Sequence, residues 1–183
     1  MKNRSYIQIL CLTFIFCQYQ VSAQVYESKK NKITFFSQAP LEDIESESNR
    51  AYVMADLSSG EVKSTVPISS FAFKKSLMQQ HFNTQYMESD KFPYASFTGK
   101  LNNIDDLKQQ KNGEYTLNGS MTIHGVTQSY TETATIRFED EKLNGNVKFK
   151  VRVDDHDIKI PRFVIRNIAE VIDVEVWINL TKK

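Results

Sequence analysis

The chain has 183 residues, 40% of them hydrophobic and 25% charged, with 23 basic against 22 acidic side chains. This near balance removes the general attraction on which binding to phosphate polymers depends, so nucleic acid is not expected as a partner. Both cysteines, Cys11 and Cys17, precede residue 24, which leaves the remainder without thiol chemistry or disulfides.

Lys2 and Arg4 precede an apolar stretch from Tyr6 to Cys17, and Val21-Ser22-Ala23 follows. That is the order of a secretory signal cut before Gln24. The stretch is too short to span a bilayer comfortably and carries Gln8. Neither cysteine follows the small residue that lipoprotein processing requires. The expected product is one exported domain, residues 24–183, with 21 basic and 22 acidic side chains, long enough to bury a core without cross-links.

After a polar lead from Gln24 to Asn31, eight strands are predicted near 32–38, 50–57, 61–68, 94–101, 113–123, 128–139, 142–154 and 170–181. From Leu143 to Val153 the odd positions are Leu, Gly, Val, Phe, Val and Val, while Asn144, Asn146, Lys148, Lys150 and Arg152 alternate with them. Side chains on a strand point to opposite faces in turn, so this is antiparallel sheet with one wet face. Phe73, Leu77, Met78 and Phe82 recur at helical spacing among Lys74, Lys75, Gln79 and Gln80, which predicts one short amphipathic helix in a long loop. The fold class expected is all-β, an eight-stranded antiparallel up-and-down barrel, because closure leaves no exposed edge.

Connections in such a barrel alternate between its ends. Loops 39–49, 69–93, 124–127 and 155–169 therefore share one end, and 58–60, 102–112 and 140–141 the other. The elaborated end is the expected mouth, with the two longest loops as lid and rim.

Inward positions supply an apolar wall: Phe97, Leu117, Met121, Ile123, Ile136, Phe138, Val147, Phe149, Val151, Val174, Val176 and Ile178. These residues suit either a packed core or the lining of a cavity, since an eight-stranded barrel is wide enough for side chains or one small ligand. Gly99, Gly119 and Gly145 fall on the inward parity. They either open space inside or mark bends.

The mouth candidates are Leu77, Met78 and Phe82 from the helix, His81, His124 and His156, and Lys159, Arg162 and Arg166. The histidines and cations either meet a ligand's polar head or serve structure and solvation. No metal site is expected, for the histidines lie far apart in sequence without a His-x-His or cysteine partner. No catalytic residue is assigned. Ser120 lies in Asn-Gly-Ser-Met, not a Gly-x-Ser-x-Gly elbow, and Asp154, Asp155, His156 and Asp157 read as a solvated turn. Lys148, Lys150 and Arg152 form an outward basic stripe that serves solubility or contact with an anionic membrane surface.

The words Leu77-Met78-Gln79-Gln80-His81-Phe82, then Tyr86-Met87-Glu88-Ser89-Asp90-Lys91-Phe92-Pro93, then Gly119-Ser120-Met121-Thr122-Ile123-His124-Gly125-Val126-Thr127, make the chain resemble the YceI-like family. The resemblance implies a lipocalin-like barrel exported from bacterial cells, with an elongated apolar pocket for a polyisoprenoid chain such as an isoprenoid quinone or prenyl phosphate. It brings no enzymatic mechanism. Ser37 to Asn49, with Pro40, Glu42, Asp43, Glu45 and Glu47, replaces the Gly-aromatic stretch many relatives carry.

The expectation is a non-enzymatic carrier or reservoir in the periplasm, or secreted. It needs no cofactor beyond the bound lipid or quinone, and the sequence sets no oligomeric state. Two alternatives stand beside it: a solid barrel acting as an envelope interaction module, and an enzyme acting on a lipid head group.

Overall fold

The computed structural model describes residues 24–38, 43–160 and 169–183. Nine strands run β1 (Val25–Ser37), β2 (Ile44–Asp56), β3 (Glu61–Pro67), β4 (Ala72–Phe73), β5 (Tyr94–Leu101), β6 (Gly113–Ile123), β7 (Val126–Glu139), β8 (Lys142–Arg152) and β9 (Val171–Lys182). Every neighbouring pair is antiparallel, and pairing of β1 with β2 closes the ring. Eight strands form the barrel. The two-residue β4 adds to the upper edge of β2 through Ser46 and Glu47.

The polar lead expected at 24–31 and the described part of the loop expected at 39–49 are instead largely strand. Both strands carry bulges at one height, where the β1–β2 register shifts between Ser28 and Asn31 and again between Asn31 and Ile33. An extra residue reverses side-chain parity, so Tyr26 and Ile33 are both buried, as are Ser46, Ser48, Ala51 and Val53. The period-2 pattern breaks in sequence although the strand continues in space.

Asn31 repairs the break. Its Nδ2 donates to the carbonyls of Ser28 and Ala51, each at 3.0 Å, and its Oδ1 accepts from the Asn179 amide at 3.0 Å. A buried amide thus replaces the ladder bonds that the bulges remove.

The lower end of the barrel is closed by a packed core. Tyr26, Val53, Ala55, Leu57, Leu101, Tyr115, Ala134, Ile136, Leu143 and Leu180 pack into one core, with Leu107 at 0% exposure among them. Leu107 belongs to α2 (Ile104–Lys108), a one-turn helix in the connection expected as plain loop. The upper half holds two further clusters, around Ile33, Ala51, Val66 and Phe71, and around Ile68, Met87, Val153 and Ile158.

The helix of the long loop is α1 (Ser76–His81), continued by a wider π-type turn over Phe82–Tyr86. Gln79 ties it to β4: its Oε1 accepts from the Phe73 amide at 3.2 Å and its Nε2 donates to the Phe71 carbonyl at 2.6 Å.

Candidate functional site

Above the solid floor the barrel encloses a cavity of about 690 Å³, within the range of small-molecule sites. Of the twelve inward wall residues expected from parity, eleven line it: Phe97, Leu117, Met121, Ile123, Ile136, Val147, Phe149, Val151, Val174, Val176 and Ile178. Phe138 does not. It lies one turn of the pleat lower, edge-on to Tyr26 at 6.4 Å between ring centres, and belongs to the floor. Ala134 and Ile136, the two inward residues above it on β7, still line the cavity while belonging to the packed core, so the cavity ends on this strand at the level of Phe138.

The inward glycines act differently from either expectation. Gly99 and Gly119 face each other across β5 and β6. A β-carbon on either would stand 2.5–2.7 Å from the Phe97 ring. Their missing side chains seat Phe97 against the wall. At Gly145 the space is taken by Ile178.

Four aromatic rings cover the mouth. Phe82 stacks on Phe35 with centres 5.6 Å apart, and it meets Phe73 at 4.9 Å and Phe71 at 5.9 Å. Phe35, Phe71 and Phe73 were missing from the residues named for the site. The parity of the first strand pointed to Phe35 and the helical spacing included Phe73, which lies in β4 instead, whereas Phe71 falls in neither pattern. Beneath this cover, Ser46 Oγ donates to the Ala72 carbonyl at 2.9 Å and Ser48 Oγ meets Ser70 Oγ at 2.6 Å. Small inward serines let the covering segment lie close to β2.

Met78 and His81 line the cavity with Phe82, whereas Leu77 is 60% exposed. Gln79 fixes the rotation of α1, and only six residues are helical, so the longer amphipathic face expected from spacing does not form.

His124 and His156 face away from the cavity and hold the rim together. His124 and Gly125, with φ of 51° and 76°, form a two-residue hairpin between Ile123 and Val126. The His124 ring sits 4.5 Å from that of Phe92, its Nε2 lies 2.8 Å from Glu88 and its Nδ1 3.3 Å from the His156 carbonyl. A β-carbon at Gly125 would stand 2.6 Å from Phe92. His156 is fully buried. Its Nδ1 donates to the Val126 carbonyl at 3.0 Å, which leaves Nε2 to accept the Tyr130 hydroxyl at 2.9 Å. Burial is the main cause that raises the Tyr130 pKa above 10.0, followed by the charges of Asp155 and Glu132.

Among the described residues no group of three His, Cys, Asp or Glu side chains is placed to hold a metal ion. Lys159 is exposed and 3.9 Å from Asp157. Arg162 and Arg166 lie outside the described residues. The basic stripe is answered by acids on the next strand, Lys148 by Glu175 at 3.1 Å and Lys150 by Asp173.

Two features were not anticipated. Glu132 lines the cavity, the only carboxyl among its described lining residues, and burial raises its pKa above 4.5. The even-numbered inward parity of β7 includes it between Tyr130 and Ala134, so the signal was present in sequence. The second is a gap in the ladder: β7 and β8 pair only from Ala134–Val147 down to Glu139–Lys142. Above that point β8 pairs with β9 alone, and side chains bridge the space, as where Gln128 Nε2 donates to the Asp155 carbonyl at 2.7 Å.

A family model described as the YceI-like domain matches residues 25–181. No curated protein matches the chain. Among solved structures, a polyisoprenoid binding domain from Saccharophagus degradans superposes with a TM-score of 0.76 at 10% identity, over 88% of this chain and 100% of that one. BcnA of Burkholderia cenocepacia gives 0.69 at 14%, over 83% and 96%. A YceI protein of Campylobacter jejuni gives 0.58 at 15%, over 100% and 99%.

Proposed function

Because the chain belongs to the YceI-like family, we propose that it binds a long isoprenoid-type lipid in the barrel interior and acts as a non-enzymatic carrier or reservoir. The observation that carries this reading is the cavity of about 690 Å³, walled by apolar side chains and covered by four phenylalanines. The likeness to a polyisoprenoid binding domain supports the choice of chain. An apolar bore of this size loses contacts when it holds no guest, so a bound lipid is expected to add to the stability of the fold. Partition out of water does the binding, at about 0.8 kcal/mol for each buried methylene.

The cavity favours this reading over a solid-barrel interaction module built on Phe73, Leu77 and Phe82, of which Phe73 and Phe82 line the cavity and Leu77 is exposed. We further propose export to the periplasm, on the strength of Lys2, Arg4 and the apolar stretch that follows. N-terminal sequencing of the mature protein should begin at Gln24.

Native mass spectrometry of protein purified from its host, followed by lipid extraction, tests the main reading. An adduct with the mass of an isoprenoid is expected. Protein that carries no adduct and takes up no prenyl chain in vitro would overturn it.

A further inference from the structure

Glu132 is a carboxyl set low in the wall of the cavity. Below it on β7, Ala134 and Ile136 still line the cavity and already belong to the packed core, at 3% and 2% exposure, and Leu117, opposite Glu132 on β6, lines the cavity as well. From Val126 at the mouth, six residues of extended chain place Glu132 about 20 Å down the strand. Its surroundings are otherwise apolar, and the nearby polar groups are committed. The Tyr130 hydroxyl is held by His156, and the Asn146 amide donates to Glu175 at 3.0 Å and to the Val176 carbonyl at 3.2 Å. Among the described residues the Glu132 carboxyl has no hydrogen-bond or ion-pair partner. A carboxyl in an apolar site is costly unless something bonds to it. A protein that keeps one there gains only when a ligand supplies the bond.

We propose that Glu132 is the head-group determinant of the lipid site: the ligand enters head first, its hydroxyl donates a hydrogen bond to Glu132 low on the cavity wall, and its chain rises to the phenylalanine cover. The ligand class is therefore a long-chain prenol or a quinol, with a neutral head that donates. A phosphate or carboxylate head is disfavoured, because like charge next to a carboxylate in an apolar-walled cavity is repelled more strongly than in water.

This inference rests on the carrier reading, and one ligand series separates the two. Dissociation constants for geranylgeraniol, geranylgeranyl phosphate and the hydrocarbon phytane are measured on delipidated full-length mature protein, alongside E132Q and E132L. The wild type is expected to hold the alcohol at least ten-fold more tightly than the phosphate. E132Q keeps an acceptor and should hold the alcohol within about three-fold while gaining ten-fold for the phosphate, and E132L should lose the alcohol's advantage over phytane. A diazirine placed beside the alcohol carbon should label Leu117, Ala134 or Val147, and one at the chain's other end Phe35 or Phe82. Equal or tighter binding of the phosphate by wild type, an unchanged ratio in E132Q, or the reverse labelling pattern overturns the head-group assignment while leaving the carrier intact. Failure of all three compounds to bind removes both.

Discussion

At the scale of single residues, the words that mark the family describe one physical object. Gly125 lacks a β-carbon so that Phe92 can lie against the hairpin, His124 stands on that ring and reaches Glu88, and His156 takes both the Val126 carbonyl and the Tyr130 hydroxyl. Gly125→Ala should cost about 1–3 kcal/mol, combining a left-handed backbone with a contact that must yield; urea unfolding measures it. His156→Ala should cost about 2–4 kcal/mol, because it orphans two buried partners as well as leaving a void. Glu132 behaves oppositely. Burial raises its pKa, so the folded chain holds the proton more tightly than the unfolded one. Its penalty is absent below about 4.5 and grows as pH rises through the folded value. Tyr130 is the titrating neighbour that responds to its charge. E132Q should therefore match the wild type in stability at pH 4 and exceed it at pH 7. A difference independent of pH would contradict this account.

At the scale of elements, sequence was most informative where one parity ran unbroken. The strands from β5 to β9 fell within a few residues of expectation, and eleven wall residues followed from the same alternation. It failed where bulges reversed the parity, in β1 and β2, and where serine rather than valine occupied inward positions, at Ser37, Ser46 and Ser48. The cover over the mouth was half legible, because Phe73 and Phe82 shared the helical spacing, although Phe73 lies in β4, while Phe71 is placed by contacts distant in sequence. One element is improvable. Asp140 and Glu141 form the β7–β8 turn with φ of 48° and 62° and no glycine. Replacement by Asn-Gly should raise stability by about 1 kcal/mol, seen as a rise of about 2–4 °C in melting temperature.

At the scale of the whole molecule, the barrel is two devices stacked end to end: a plug that supplies stability and a chamber that spends it. Leu107→Ala should cost about 2–5 kcal/mol in unfolding by opening the plug, with little change in lipid affinity. Removing lipid should do the reverse, leaving the plug intact and lowering the melting midpoint by about 5–10 °C, as expected when a ligand at a hundred times its dissociation constant contributes about 2.7 kcal/mol. An unchanged midpoint after solvent extraction would contradict an occupied chamber.

The incomplete ladder between β7 and β8 bears on what the chamber will admit. Above Ala134 and Val147 no backbone pair joins the two strands, so they can move apart without breaking a main-chain bond. The bore is a split collar whose calibre adjusts to the girth of its guest. Such a wall discriminates poorly among chains of different branching or saturation, and it leaves selectivity to whatever grips the guest at a single point. Deuterium uptake along residues 128–133 and 148–152 should be faster than in the other strands and should slow as bulkier guests draw the collar tight.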